Sequence, residues 1–298
     1  MKSIIIFGGS GYVGKNLIRN FAKKGYKIIV PYQKQTNEAN LRLLGSVGQI
    51  IPLHFSSLKD TKILSLLNDV NICINLKTSW HSKKSILTQS IFNFNLDLIK
   101  AIKLSSSIEK FIFFSGLGIE KRSTFRNKII YKTEDIILNE LDNSFIIRPS
   151  VILGNGDKFL SNLTPLFKMF FFLPLFGNGS KKFQPVLIDD IEKFISKLIS
   201  TSISDKKLFE LAGPDVFTYK KFYSQIAQIL GKKRVFVPIP MQIVKLVVKI
   251  VEKTPFSPIN SEQLALFQTD NILNNKIPGF DYFNMFPKKI ISAIKKTL

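Results

Sequence analysis

The 298-residue chain has one cysteine, one tryptophan and two histidines. With Cys73 alone an internal disulfide is ruled out, and its apolar setting, Val70-Asn71-Ile72-Cys73-Ile74, suits a small buried hydrophobe better than a nucleophile or a metal ligand. His54 and His81 are far apart and lack nearby cysteines or paired carboxylates, so the sequence offers no metal site. Acidic residues are also scarce, 21 against 43 Lys and Arg, which leaves a net charge of +22. Such a surplus draws phosphates, anionic lipid or acidic proteins. The lysines are nevertheless dispersed, and Ile, Asn and Phe are abundant beside them, a pattern that low-G+C coding alone produces. No stacking-aromatic motif or recognition-helix signature accompanies the charge, so nucleic acid is not an expected partner.

No apolar run is long enough to span a bilayer. The longest, Met169-Phe170-Phe171-Phe172-Leu173-Pro174-Leu175-Phe176, is interrupted by Pro174. Three successive phenylalanines cannot all face one core from a helix. The run is therefore read either as an element that dips into a membrane surface or a partner, or as a buried segment beneath a cleft. Nothing of signal type precedes the first strand pattern at Ser3, and a reducing cytoplasm is the expected compartment.

Strand and helix periodicities alternate through the first half. Short apolar runs at 3–7, 26–30, 49–53, 72–76 and 110–114, followed by 144–149, suit buried parallel strands, with helical stretches between them. The expected fold is α/β: a Rossmann-type doubly wound parallel sheet over residues 1–150, with a smaller carboxy-terminal α/β region over 151–298 interleaved with it. Beyond Pro149 the rhythm loosens around glycine-containing loops at 154–156, 177–179 and 212–214, and helical spacing returns at 219–230.

The first strand runs directly into Gly8-Gly9-Ser10-Gly11-Tyr12-Val13-Gly14 and a helical stretch that stops at Gly25. A glycine turn placed between a strand and a helix is the dinucleotide fingerprint. One glycine permits the tight turn, Gly11 lets the backbone approach a pyrophosphate, and Gly14 lets the helix lie close to the strand. The helix amino terminus then offers N–H groups and partial positive charge. An acidic residue about twenty positions on would hold the 2′-hydroxyl of NAD, and none occurs before Glu38. Lys34 and Arg42 stand there instead, so NADPH is the expected cofactor, with NADP or NAD as alternatives.

These residues resemble a known family. The glycine turn, Val30-Pro31-Tyr32 and above all Leu41-Arg42-Leu43-Leu44-Gly45-Ser46-Val47-Gly48-Gln49 are similar to the nucleotide-binding accessory subunits of respiratory complex I and their bacterial relatives, atypical extended short-chain dehydrogenase/reductases. The similarity runs on through Val70 to Leu76, Arg148 to Gly154, Asp157 to Leu160, Phe183 to Ile191, Phe209 to Pro214 and Val237 to Pro240. It implies an NADPH held in place rather than turned over, and a peripheral place on complex I at the cytoplasmic face of the inner membrane, with contact to the membrane surface among the expectations. It also implies cofactor contacts at Gly8 to Gly14, Lys34, Arg42, Asn75, Leu76, Ser115, Lys128, Pro149 and Ser150. Ser56 stands where the family commonly has an aspartate near the adenine.

The superfamily's chemistry needs a tyrosine as proton donor and a lysine four residues on. Lys128 falls where that lysine is expected, yet Thr124 precedes it by four, and the nearby Tyr131 is followed at that distance by Asp135. No catalytic residue is assigned; Thr124, Lys128 and Ser115 occupy the degenerate positions. The alternatives are a free-standing NAD(P)-dependent reductase or epimerase in which Tyr131 or a water supplies the proton, and a redox-sensing regulator without chemistry. Trp80 and His81 are expected either at the cofactor mouth or in a surface loop, and Asp189-Asp190 at a helix start.

Overall fold

The computed structural model describes residues 2–33, 36–120, 124–203, 205, 207–252, 254 and 259–295. Its first half runs β1 (Ser3–Phe7), α1 (Tyr12–Lys23), β2 (Lys27–Tyr32), α2 (Glu38–Arg42), β3 (Ile50–His54), α3 (Thr61–Asn68) and β4 (Ile72–Asn75). Then come α4 (Lys84–Leu87), a π-helical turn (Thr88–Asn93), α5 (Phe94–Leu104), β5 (Lys110–Phe114), α6 (Phe125–Glu140) and β6 (Ser144–Pro149). The second half opens with β7 (Ile152–Leu153), α7 (Lys158–Met169), β8 (Phe172–Phe176), β9 (Lys182–Phe183), β10 (Val186–Leu187), α8 (Ile188–Ser200) and β11 (Leu208–Leu211). It closes with β12 (Phe217–Thr218), α9 (Tyr219–Ile229), β13 (Val235–Ile239), α10 (Met241–Val251), α11 (Ser261–Leu264) and α12 (Ile290–Ile294).

The central sheet has seven parallel strands in the order β11-β6-β5-β4-β1-β2-β3. The order reverses beside β1, the switch point where open α/β sheets leave a crevice at their carboxyl ends. Both faces are covered, which is why the strands read as continuous apolar runs. On β1 the pleat sends Ile4 and Ile6 into one layer, against Leu17, Ile18 and Phe21 of α1 and Phe194 and Leu198 of α8. Ile5 and Phe7 enter the other, against Ile63 and Leu67 of α3, Leu98 of α5 and Ile130 and Ile137 of α6. The fold is the α/β, Rossmann-type sheet read from the sequence.

The prolines follow the ladder's needs. Pro52 lies on β3, an edge strand, and Pro31 lies beyond the β1–β2 register, which ends at Ile5↔Ile29, so neither removes a needed central donor. Two elements of the second half complete the sheet unit: β11 pairs with β6, and α8 packs on α1. Lys110 of β5 clamps the end of α8, its Nζ donating to the carbonyls of Leu198, Ile199 and Thr201 at 2.7, 2.9 and 2.6 Å. A cation there also offsets the negative end of the helix. Outside the sheet, β8 and β13 form a parallel two-stranded ribbon, with further short pairs β7–β10 and β9–β12.

Candidate functional site: a dinucleotide crevice at the carboxyl ends of the strands

The phosphate end of the crevice is built from positions that tolerate no side chain. Gly8 has φ +79°, and a Cβ on it would lie 2.9 Å from the Leu76 carbonyl carbon and the Lys77 nitrogen, so the turn and the end of β4 touch backbone to backbone. A Cβ on Gly9 would meet Val30 Cγ1 at 2.7 Å. One on Gly14 would sit 2.5 Å from both Cα and O of Gly9, which presses α1 directly onto the turn. Gly11 donates its N–H to the Gly8 carbonyl at 3.1 Å and closes the loop.

Gly11 is also the N-cap of α1. It supplies no side-chain cap, and the first turn carries no acidic residue. Ser10 and Gly11 are exposed, Val13 is half-buried against the core, and the only atom near a Cβ on Gly11 is the turn's own carbonyl. The first N–H groups of the helix are therefore open to an anion, and these residues fit a pyrophosphate. Tyr12 turns inward instead. Its hydroxyl is buried with no hydrogen-bond partner among the described residues, close against Gly154, and burial pushes the phenol pKa up, with Asp157, Asp189 and Glu192 adding to the shift.

At the end of β2, where an adenosine ribose would lie, Tyr32 donates to Glu38, and Glu38 pairs with Arg42 at 2.9 Å. The Tyr32 and Arg42 hydrogen bonds hold the Glu38 carboxyl below its ordinary pKa. The cation at Arg42 thus arrives already matched by an acid, a pairing that the i, i+4 spacing on α2 makes natural. Lys34 lies outside the described residues. The carbonyl of Ser56 accepts from Gln33 Nε2 at 3.2 Å.

In the middle of the crevice, Asn75 is fully buried, and both ends of its amide are committed. Nδ2 donates to Asn95 Oδ1 at 2.7 Å, and Oδ1 accepts the Lys77 N–H at 2.9 Å. Asn95 donates in turn to the Ile91 carbonyl, on the π-helical turn. Asn75 acts as a strut that shapes the loop after β4. The Leu76 N–H donates to Phe7 O at 2.9 Å, and Lys77 Nζ lies 3.7 Å above the Phe94 ring.

The reaction end contains Ser115, Thr124, Pro149 and Ser150. Register places Phe7 beside Asn75, Asn75 beside Phe113, and Phe114 beside Ile147. The ends of β1, β4, β5 and β6 therefore form one row, and the structure brings the glycine turn, Asn75, Leu76, Ser115, Pro149 and Ser150 together along it. The Ser115 hydroxyl is buried with no partner among the described residues, and its N–H donates to Ile147 O at 2.8 Å. The Pro149 carbonyl accepts the Leu117 N–H, and Ser150 Oγ accepts from Asn271 at 3.4 Å.

Thr124 is the N-cap of α6, its hydroxyl accepting the Asn127 N–H at 3.3 Å. Lys128 is exposed, and the structure does not gather it with this row. The residue that α6 does aim at the post-β4 loop is Arg126, which the sequence reading passed over. It is buried, donates from Nε to Ser79 O at 2.8 Å and from Nη2 to Thr78 Oγ1 at 2.7 Å, and stacks 3.7 Å over the Trp80 ring. At about 100° per residue, Arg126 and Lys128 leave α6 on roughly opposite sides. Tyr131 is half-exposed, and His81 is exposed with Nδ1 accepting the Lys83 N–H.

Helix α6 is fastened to the sheet by an ion cluster. Arg148 makes a bidentate pair with Glu134, at 3.0 and 2.6 Å, and reaches Glu120 at 3.1 Å and Glu210 at 3.5 Å. Burial opposes the charge on Arg148, but the Glu134 hydrogen bonds and the three carboxylates outweigh it and raise its pKa. Burial raises the pKa of Glu210, its second oxygen accepting the Asn274 N–H at 2.8 Å.

Fold and crevice together are those of a Rossmann-type α/β protein, and the model of the NAD dependent epimerase/dehydratase family matches residues 4–119. The UDP-glucuronic acid 4-epimerase of Bacillus cereus, solved with UDP-glucuronic acid and NAD, shares this fold with TM-score 0.76 and 14% identity, over 99% of this chain and 97% of that one. Among curated proteins, the chain is 28% identical over 298 residues to the Arabidopsis thaliana NADH dehydrogenase [ubiquinone] 1 alpha subcomplex subunit 9, mitochondrial, covering 96% of this chain and 74% of the relative. The Dictyostelium discoideum subunit of the same name is 29% identical over 231 residues, 74% of this chain and 62% of that protein. The chain is a homologue of these alpha subcomplex subunits along almost its whole length, as its resemblance to the atypical extended short-chain dehydrogenase/reductases implied.

Proposed function

We propose that this chain is an accessory subunit of a respiratory NADH:quinone oxidoreductase, complex I, and that it holds NADPH as a structural ligand rather than a reactant. Its place is peripheral, at the cytoplasmic face of the membrane that carries the complex. The kinship with the alpha subcomplex subunits supports the partnership. One contrast within the site carries the rest: the phosphate turn is intact in every glycine, while the hydroxyl at the proton-donor position belongs to Thr124 and caps a helix. An aliphatic hydroxyl does not serve as the phenolic acid this chemistry uses.

In an enzyme of this fold the bound dinucleotide supplies a hydride. Here the chain's own groups bind and exclude. The turn and the α1 amino terminus hold the pyrophosphate, Asn75 fixes the loop beside it, and Arg126 with Trp80 closes the loop where a reactant would enter. A ligand that binds only the folded chain stabilises it by mass action, which gives the nucleotide a purpose without turnover. The preference for NADPH rests on the absence of an acid before Glu38 and on the cation Lys34, Arg42 being paired with Glu38.

Native mass spectrometry of the purified protein tests the ligand, with a co-purifying mass equal to NADPH as the expected result; NAD in its place overturns the preference. Purification of complex I from the source organism tests the partnership, which fails if this chain is absent. Steady NADPH oxidation by the isolated protein with a carbonyl compound would establish a free-standing reductase instead.

A further inference from the structure

The apolar surface this chain leaves uncovered is concentrated around the β8–β13 ribbon and α10. In the ribbon the pleat buries Leu173 and Leu175, while Phe172 on one strand and Val235 and Val237 on the other face outward. Register sets Phe172 beside Val235 and Pro174 beside Val237, so the outward side is one continuous apolar strip. Met169, Phe170 and Phe171 extend it at the end of α7, all more than half exposed.

Helix α10 follows β13 directly and repeats the pattern. Val244 and Val248 pack inward against Phe176 and Ile239 of the ribbon. Ile243, Leu246, Val247 and Ile250 are 53, 61, 51 and 62% exposed, and their spacing of i, i+3, i+4 and i+7 puts them on one stripe. Lys245 and Lys249 lie on the arc between the buried face and this stripe. A helix of 11 residues is about 16 Å long, too short to cross a bilayer but able to lie in its surface. No helix among the described residues is long and apolar enough to cross a membrane.

Charge identifies the occupant. Residues 158–188 and 216–251, which include α7, the ribbon, α9 and α10, contain no Asp or Glu, although the chain has 21 elsewhere. Lys168, Lys232 and Lys233 border the ribbon strands in sequence as Lys245 and Lys249 border the stripe. An apolar strip edged by cations and free of carboxylates suits a bilayer with anionic headgroups: acyl chains take the apolar residues and headgroups take the lysines. A second copy of the chain would set like charges against each other.

We propose that the outward face of β8, β13 and α10 docks on the surface of an anionic lipid bilayer. The inference deepens the peripheral placement proposed above by naming the surface that makes it. It is independent of the nucleotide, so its failure is read separately from any failure of the glycine turn.

The test is co-sedimentation of the full chain with vesicles of phosphatidylcholine, with and without phosphatidylglycerol. The chain is expected to bind the mixed vesicles at least about tenfold more tightly than the neutral ones. Leu246→Glu with Ile250→Glu, and separately Lys245→Glu with Lys249→Glu, should each weaken binding about tenfold or more. Lys59→Glu with Lys62→Glu, the same charge change at exposed positions by α3, should leave it within about twofold. All six residues are exposed, and an unchanged unfolding midpoint and nucleotide content confirm that each variant folds. Absence of binding to mixed vesicles overturns the proposal. So do face variants that bind as well as the parent, an equal loss in the α3 pair, or a solution dimer that the Leu246→Glu pair dissolves.

Discussion

The two ends of the crevice have been treated differently. At the phosphate end the constraint is shape: a methyl group on Gly8 or Gly14 would collide with other main chain and one on Gly9 with the core, while Gly11 keeps the helix end open. At the reaction end the contacts are made by side chains, with backbone or with one another: Thr124 caps α6, Arg126 clasps the loop at 78–80, and Arg148 ties α6 to the sheet. Holding a dinucleotide and using it are thus separable demands on one sheet. The first is a matter of shape and survives as spacing, whereas the second depends on single side chains that can be exchanged for others with structural tasks.

The largest effect should come from the anchor of the reaction end. Arg148→Met leaves Glu134 and Glu210 buried without their counter-charge and should cost ~3–5 kcal/mol in a urea unfolding titration, since the bereft carboxylates lose their partner outright. A loss under about 1 kcal/mol would mean that the cluster does not fasten α6.

Next comes the phosphate end. Gly14→Ala introduces a methyl 2.5 Å from the backbone of Gly9 and should cost about 1–3 kcal/mol, with the co-purifying nucleotide lost from the native mass spectrum. Full nucleotide occupancy in this variant would show that the turn is not the binding element.

Arg126→Ala sharpens the contrast, because it should also cost about 1–3 kcal/mol yet leave the nucleotide bound. Amide exchange at residues 78–80 should rise. Nucleotide loss equal to that of Gly14→Ala would erase the division between the ends.

The smallest effects compare the two degenerate positions. Thr124→Ala removes the cap of α6 and should cost ~1 kcal/mol, whereas the exposed Lys128→Ala should stay within about 0.5 kcal/mol and retain nucleotide. A drop in nucleotide affinity on replacing Lys128 would return that residue to the binding site.

Features encoded locally were legible in the sequence. β1, β5 and β6 stand at the expected residues, because strands covered on both faces must be apolar throughout, and the glycine turn is readable because its glycines fall within seven consecutive residues. Pairings across long separations were not legible. Arg126 looks like any helix-surface arginine until the loop 47 residues earlier is packed against it. β11 carries Glu210 in a buried strand, a choice that makes sense only once Arg148 of β6 is known to lie beside it. The run from Met169 to Phe176 offered two readings, an outward docking element or a buried segment. The structure divides it: within β8 Leu173 and Leu175 go in while Phe172 stays out, because a strand paired with β13 must alternate, and Met169 to Phe171, ahead of the strand, stay exposed.

The seventh strand of the sheet has a consequence for how the chain is made. Because β11 pairs with β6, and α8 arrives only after α7 and the first ribbon strand, the seven-stranded layer cannot be finished until residue 211 has left the ribosome. Until then the open edge of β6 and the bare side of α1 face solvent, so the nascent chain must keep an unpaired strand from finding foreign partners.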